Sequence, residues 1–384
     1  MAERKRLRIG VIGVGRRGQD HLRTILALSD RFELVGICDA SESTAGKVAD
    51  QFGMKAFSDL DAFLSAVQPD VAVVTTSRET HHLVAPTVAA HGVHMLIETP
   101  LAPTRAMMDV IQEAVSKAGV IVEVGENMWR RPTERLNAAA IKAGAIGKIL
   151  RLASFYEPAG GDTCYHTMSL MRTYAGAEVG EIEAFVHESP IDGAKAGAAS
   201  TESWVQARLF YENGILGSCT YVTPWTGPRR VGLPRFMTIE GTEGSIVTGP
   251  GPQNVLRSLV NGSRREYQKQ IDTRSEEGTE VPVSYYYETE PRIEAQNPFA
   301  DRVLDAQDNP WIGDAIARAA ELDSLHLAVT EGTAPQYGME EARRDVELSI
   351  IIIESARLGK RMKARLDPDK ETAWEREQRE AVLR

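Results

Sequence analysis

The sequence predicts an α/β protein, a doubly wound parallel sheet followed by an open, mostly antiparallel sheet. Three observations carry this. An apolar run, Arg8 to Ile12, opens into Gly13-Val14-Gly15-Arg16-Arg17-Gly18 and then a helix-like stretch from Gln19 to Leu28. Short apolar runs then alternate with helical ones up to Val124, the pattern of parallel βαβ units. After residue 126, strand-like runs recur with tight turns between them, as antiparallel hairpins require.

Taken in order, the glycine pattern G-x-G-x-x-G between strand and helix is the dinucleotide-binding fingerprint of a Rossmann fold. Gly13 permits the tight turn, Gly15 lets backbone approach a pyrophosphate, and Gly18 lets helix pack on strand. The helix N-terminus offers free N–H groups to phosphate, and Arg16 and Arg17 add cationic donors or point to solvent. A second strand, Phe32 to Cys38, ends at Asp39, placed to accept hydrogen bonds from ribose hydroxyls or to cap the next helix with Ser41. A negative charge there disfavours a 2′-phosphate, so NAD is expected over NADP. Further strands are expected at Asp70–Thr75, His94–Ile97 and Val120–Val124, with helices at His82–His91 and Thr104–Ala118. Ligands of such sheets bind at the carboxyl ends of strands. That places Thr75, Thr76 and Ser77, then Glu98, Thr99 and Pro100, then Gly125, Glu126 and Asn127 around one crevice. Asn127 could touch nicotinamide or substrate, or simply form a turn.

In the second half, strands are expected at Val205–Phe210 and Gly217–Val222, joined through Glu212-Asn213-Gly214. A stretch from about Pro250 to Pro310, rich in charge, Pro and Gly, reads as an insertion or long connection. Helices follow at Ala315–Thr330 and Glu340–Leu358, then a charged tail, exposed or packed on a partner. The expected organisation is a Rossmann domain over 1–126, a substrate-binding and oligomerisation domain over 127–365, and a tail over 366–384.

Composition bounds the function. A net charge of −10 over 384 residues argues against a nucleic-acid partner. No apolar run is long enough to span a bilayer, so no membrane association is expected. The basic N-terminus runs into a strand with glycines and lacks the apolar core of a signal peptide. Cys38, Cys164 and Cys219 are few, odd in number and dispersed, which fits reduced cytoplasmic thiols and neither disulfides nor a zinc cluster. His81-His82 is a poor metal pair, because adjacent helical side chains point apart; no metal is expected.

The ordered motifs resemble the glucose-fructose oxidoreductase / inositol dehydrogenase / MocA family. They are the glycine fingerprint, Thr75-Thr76-Ser77 with His81, Glu98-Thr99-Pro100-Leu101-Ala102, Arg131-Pro132, Gly144-Ala145-Ile146-Gly147-Lys148, and Gly160-Gly161-Asp162 with His166. Ile239-Glu240-Gly241-Thr242-Glu243-Gly244-Ser245 and Glu354-Ser355-Ala356-Arg357-Leu358-Gly359-Lys360 close the series. The resemblance implies NAD(P)-dependent oxidation or reduction of a hydroxyl on a sugar, inositol or related polyol, in a homo-oligomer such as a dimer or tetramer. It implies that His81 frames the nicotinamide end and that Pro100 can follow a cis peptide bond.

His166 is the expected acid/base, since imidazole titrates near neutrality. A helix starting near Asp162 would set Asp162, His166 and Ser169 on one face, with Asp162 orienting the imidazole or binding vicinal hydroxyls. Two positions depart from the family pattern. Ser169 stands where an aspartate often binds substrate. Thr99 stands where the family carries its catalytic lysine, and a hydroxyl cannot take up a proton near neutral pH. Three readings follow: a dehydrogenase in which His166 works alone; a redox-neutral enzyme that oxidises a ring carbon transiently and then eliminates or cleaves a glycoside; or a non-catalytic cofactor-binding subunit. Trp225, Arg229 and Arg230 could line a sugar site, though packing is the commoner use of such residues.

Overall fold

The computed structural model describes residues 5–155, 164–190, 201–223, 236–249, 254–304 and 312–382. The N-terminal part runs β1 (Leu7–Ile12), α1 (Arg16–Ala27), β2 (Phe32–Cys38), α2 (Glu42–Phe52), β3 (Ala56–Phe57), α3 (Leu60–Val67), β4 (Val71–Val74), α4 (His81–Ala90), β5 (His94–Glu98), α5 (Arg105–Ala118) and β6 (Val122–Gly125). The six strands pair in the order β3-β2-β1-β4-β5-β6, every pair parallel. All four residues of β4 are buried, as expected of a strand covered by helices on both faces. Side chains start the helices where the sequence supplies them. Ser41 accepts from Thr44 N–H, Asp59 from Ala62 N–H and Thr104 from Met107 N–H, each satisfying a donor that the helix leaves free. The chain direction across the sheet reverses between β1 and β4, and the crevice for a ligand opens there.

The second part contains α6 (Pro132–Lys142), β7 (Ile149–Phe155), α7 (Tyr165–Ala175), β8 (Val179–Pro190), β9 (Thr201–Tyr211), β10 (Leu216–Thr223), β11 (Phe236–Gly241), β12 (Gly244–Thr248), β13 (Val255–Val260) and β14 (Ser263–Gln268). It continues with β15 (Gln270–Glu276), β16 (Thr279–Tyr287), β17 (Ile293–Gln296), α8 (Ile312–Glu331), α9 (Met339–Leu358), β18 (Met362–Lys363) and α10 (Ala373–Val382). Nine strands form one sheet, β14-β13-β12-β11-β7-β10-β9-β8-β18. Only β7 and β10 pair parallel; the other neighbours are antiparallel. The hairpin expected through Glu212-Asn213-Gly214 is present, with Leu216 opposite Phe210 and Thr223 opposite Ser203.

Three stretches differ from expectation. Residues 255–296 are not a connection but five strands: β13 and β14 extend the large sheet, and β15-β16-β17 form a small one. The charge and proline there obscure the strands, and β16 shows no clean alternation: Val281, Ser284, Tyr285 and Tyr287 are buried. Helix α8, although late in the chain, lies on the parallel sheet beside α1, β5 and β6, and Arg318 Nε donates to Thr24 Oγ1 at 3.3 Å. The tail is a strap. In α10, Trp374 joins a buried cluster with Met107, Met108 and Ile350, and Glu375 takes the Arg105 guanidinium. No helix among the described residues is long and apolar enough to cross a membrane.

Candidate functional site

The glycine loop has the form its spacing implies. Gly13 sits at φ +87°, where a Cβ would come within 2.8 Å of Thr76 N, and a Cβ on Gly18 would strike Gly13 O at 2.1 Å. A Cβ on Gly15 would meet no described atom within 4 Å, so backbone is bare on that side. Gly15 is the N-cap of α1, with no side chain capping the helix, and the N-terminal N–H groups are left for a ligand. Thr75 Oγ1 donates to Gly13 O and ties β4 to the loop. Thr76 Oγ1 is buried with no hydrogen-bond partner among the described residues. The Asp39 carboxylate accepts from Val14 N–H at 2.8 Å and from Ser41 N–H at 2.9 Å. It thus stands at the edge of the loop, while Ser41 itself caps α2. A bare glycine loop, an uncapped helix end, an unpartnered hydroxyl and a terminal acid fit a dinucleotide.

The two arginines of the loop part company. Arg16 is largely exposed, with a long 3.4 Å pair to Asp20. Arg17 turns inward: its Nε meets Glu98 Oε1 at 2.6 Å and its Nη1 meets Asp314 Oδ2 at 3.1 Å. Glu98 Oε1 also accepts from His21 Nε2 at 2.6 Å, and Oε2 accepts from Thr99 N–H at 3.2 Å. Burial alone would raise the Glu98 pKa; the Arg17 charge and the His21 contact outweigh it and hold the carboxyl well below the usual range. Asn127 donates to Asp314 Oδ1, and Arg131 reaches the same oxygen at 3.3 Å. Asn127 is therefore a tie between β6 and α8 in this structure. His21, Glu98 and Glu321 have ligand atoms within 4.8 Å of one another. The Arg17 guanidinium, seated on Glu98, already supplies positive charge there and would repel a metal cation.

His81 is buried, with Nδ1 3.1 Å from Leu101 O and Nε2 3.1 Å from Thr76 O. It pins the segment after β4 to the one after Pro100, framing the crevice through backbone. The Thr99–Pro100 peptide is cis, and Thr99 is half-buried beside Glu98.

His166 lies in the first turn of α7, which begins at Tyr165 rather than near residue 162. Asp162, Gly160 and Gly161, like Trp225, Arg229 and Arg230, lie outside the described residues. Ser169 is buried and its Oγ has no partner among the described residues. The carboxylate that meets the imidazole is Glu126: His166 Nδ1 is 2.8 Å from Glu126 Oε2. Glu126 is fully buried at the end of β6, and its other oxygen accepts from Met128 N–H at 2.8 Å. Burial works against the imidazolium, but the Glu126 charge and hydrogen bond prevail, and the His166 pKa is raised. Arg131 lowers it and Glu98 raises it further, so α7 brings the imidazole within electrostatic reach of the β5 tip. The helix itself is fixed from behind: Tyr165 OH meets Tyr337 OH at 3.0 Å, Tyr337 OH donates to Asp345, and Arg172 Nη1 binds Asp345 Oδ1 at 2.9 Å.

Of the sequence candidates, the structure gathers Gly13, Gly15, Gly18, Asp39, Thr75 and Thr76 around the loop, and puts Glu98, with Thr99 beside it, within electrostatic reach of His166. Sequence reasoning missed Glu126 as the partner of His166, and His21 and Asp314 as partners of Glu98 and Arg17. An acid immediately after a buried strand was the available signal for Glu126.

This fold and loop define a dinucleotide-binding protein with a titratable dyad at the crevice. Residues 7–126 match the model described as "Oxidoreductase family, NAD-binding Rossmann fold", of the glucose-fructose oxidoreductase / inositol dehydrogenase / MocA group, and over this domain the chain is similar to that family. The chain is similar to a myo-inositol 2-dehydrogenase of Thermotoga maritima, 29% identical over 55% of this chain and 67% of that one. It is also similar to a UDP-N-acetylglucosamine 3-dehydrogenase of Acidithiobacillus ferrooxidans, 29% identical over 46% of this chain and 57% of that one. Among solved structures, a levoglucosan dehydrogenase in complex with NADH and levoglucosan shares the fold, with a TM-score of 0.69 at 20% identity over 94% of this chain and 100% of that one. NAD is the cofactor of the matched family.

Proposed function

We propose that the protein is an NAD-dependent oxidoreductase that removes hydride from a hydroxyl-bearing carbon of a sugar, inositol or related polyol, with His166 taking the hydroxyl proton. The observation that carries this is the His166–Glu126 dyad at 2.8 Å beside the crevice. The bound nicotinamide would accept the hydride. Nδ1–H of His166 donates to the carboxylate, which leaves Nε2 as the nitrogen able to accept a proton from substrate. Thr99 can hydrogen-bond the same hydroxyl but cannot relay its proton. The Asp39 carboxylate supports NAD over NADP by repelling a 2′-phosphate. Gly13, Gly15, Gly18, Thr75, Thr76 and Arg16 would hold the dinucleotide, with Arg17, Glu98, His81 and Asn127 holding the walls, and Asp162 is retained as a substrate-binding candidate.

The relatives named above are dehydrogenases of an inositol and a nucleotide sugar, which supports this substrate class. Exposed apolar residues on the large sheet, Phe185, Val186, Leu259 and Val260, support a homo-oligomer. Three free, buried cysteines fit the cytoplasm. The test is purified protein with NAD and a panel of sugars, inositols and glycosides, followed by reduced-nicotinamide absorbance. Steady NADH formation with one class supports dehydrogenation. Product release without net NADH would favour the redox-neutral cycle, which the loss of lysine at Thr99 keeps in view. Cofactor binding without turnover of any kind would leave a binding subunit.

A further inference from the structure

We propose that Glu126 is the positioning residue of this site: its buried carboxylate serves two N–H donors at once and so dictates which nitrogen His166 turns towards substrate. The inference rests on the proposed role of His166 and deepens it. Glu126 Oε1 accepts the Met128 backbone N–H at 2.8 Å, and Oε2 accepts from His166 Nδ1 at 2.8 Å. Both partners are fixed. The Met128 amide belongs to the turn leaving β6, and the imidazole is carried on a helix anchored through Tyr165 and Arg172. Only a group with two acceptors satisfies that pair. With Nδ1 committed as donor, Nε2 keeps its lone pair, the form a general base requires.

The same contact supplies what residue 99 lacks. Thr99 brings no charge to the crevice, whereas the Glu126 carboxylate favours the protonated imidazole opposite it. The nearby cation in the charged state is then His166 itself, with Arg131 opposing and Glu98 supporting it. In the oxidation direction the ring must start neutral, and in the reverse direction it starts as the proton donor.

An amide at 126 breaks this arrangement in a defined way. In Glu126→Gln, the single carbonyl oxygen can serve Met128 N–H or His166 Nδ1–H, not both. The backbone amide cannot change its donor character and the imidazole can, so the ring reverses its tautomer: Nδ1 accepts from the Gln NH2 and Nε2 carries the proton. The experiment is ¹⁵N NMR of histidine-labelled protein with NAD added, the His166 signals being identified by their loss in His166→Asn. Wild type is expected to show the Nδ1–H tautomer when neutral. Glu126→Gln should show the Nε2–H tautomer with its titration moved to lower pH. With myo-inositol, or the most active polyol of the panel, kcat should fall on the order of 10²–10⁴-fold, with KM changed by less than about 3-fold, as expected when only a transition-state role is lost. Glu126→Asp retains two acceptors and should retain the Nδ1–H tautomer. Wild-type tautomer and titration in Glu126→Gln, or a reversed tautomer in Glu126→Asp, would overturn the proposal. If the tautomers reverse as described while His166→Asn turns over at the wild-type rate, the positioning stands and the acid/base role of His166 falls.

Discussion

Arg17 and Glu98 are joined across the mouth of the parallel sheet by a 2.6 Å Nε–Oε1 contact, and His21 meets the same oxygen at 2.6 Å. A residue expected from its place in the glycine loop to face phosphate instead locks α1 to the tip of β5. Removing one partner of such a pair leaves an uncompensated buried charge. Arg17→Met should therefore lower unfolding free energy by about 3–5 kcal/mol in urea titrations. A loss below about 1 kcal/mol would mean that the pair is screened like a surface bridge.

Arg16 should behave oppositely. It is exposed, and its only close acid among the described residues, Asp20, lies at 3.4 Å. Arg16→Ala should leave stability within about 0.5 kcal/mol and weaken NAD binding several-fold, in a salt-dependent manner. Calorimetric titration at two ionic strengths checks this; unchanged affinity at low salt would remove Arg16 from the cofactor site.

Glu321 is buried on α8, and neither of its oxygens has a partner among the described residues. Burial pushes its pKa up to about 8, with Arg17 opposing and Glu98 adding to the rise. A raised carboxyl binds its proton more tightly in the folded state than in the unfolded state. Its contribution is whole below the unfolded value near 4.5 and is lost as pH rises towards 8. Glu321→Gln should thus gain on wild type as pH rises from about 5 to 9, read as a widening Tm difference. A difference independent of pH would show that Glu321 is ionised and compensated.

The C-terminal strap should matter to the Rossmann half. Trp374 is 4% exposed, and Glu375 accepts from Arg105 N–H, Nε and Nη2 at 2.8–3.0 Å. Trp374→Ala should cost about 3–5 kcal/mol, and hydrogen exchange should quicken in α5 as well as in α9. A loss confined to α10 itself would show that the strap only decorates the surface.

The strand–loop–helix opening, the alternation that follows and the terminal acid Asp39 were legible because each follows from local rules. Glycine is needed where φ is positive or a Cβ would collide; Gly13 meets both conditions and Gly18 the second. His166 was singled out by the family resemblance and its residue type. Its partner was not, because Glu126 is 40 residues away and only the tertiary fold brings the start of α7 to the residue after β6. The expected orientation by Asp162 relied on a longer helix, whereas α7 starts at Tyr165. The strands between 255 and 296 were missed because their outward residues are charged, and the tail was misjudged because one tryptophan and one ion pair outweigh its polar composition. In each case a long-range contact overrode a local signal.

In the proposed reaction His166 manages the substrate proton without a lysine at position 99. The most direct measurement is the pH dependence of kcat/KM for polyol oxidation in wild type and His166→Asn. Because Glu126 raises the His166 pKa, the wild-type rate should rise with pH through a single ionisation above about 6.5, the unperturbed value. His166→Asn should lose that ionisation and about 10²–10⁴-fold in rate, while NAD affinity is retained. An identical ionisation and an undiminished rate in His166→Asn would contradict the account.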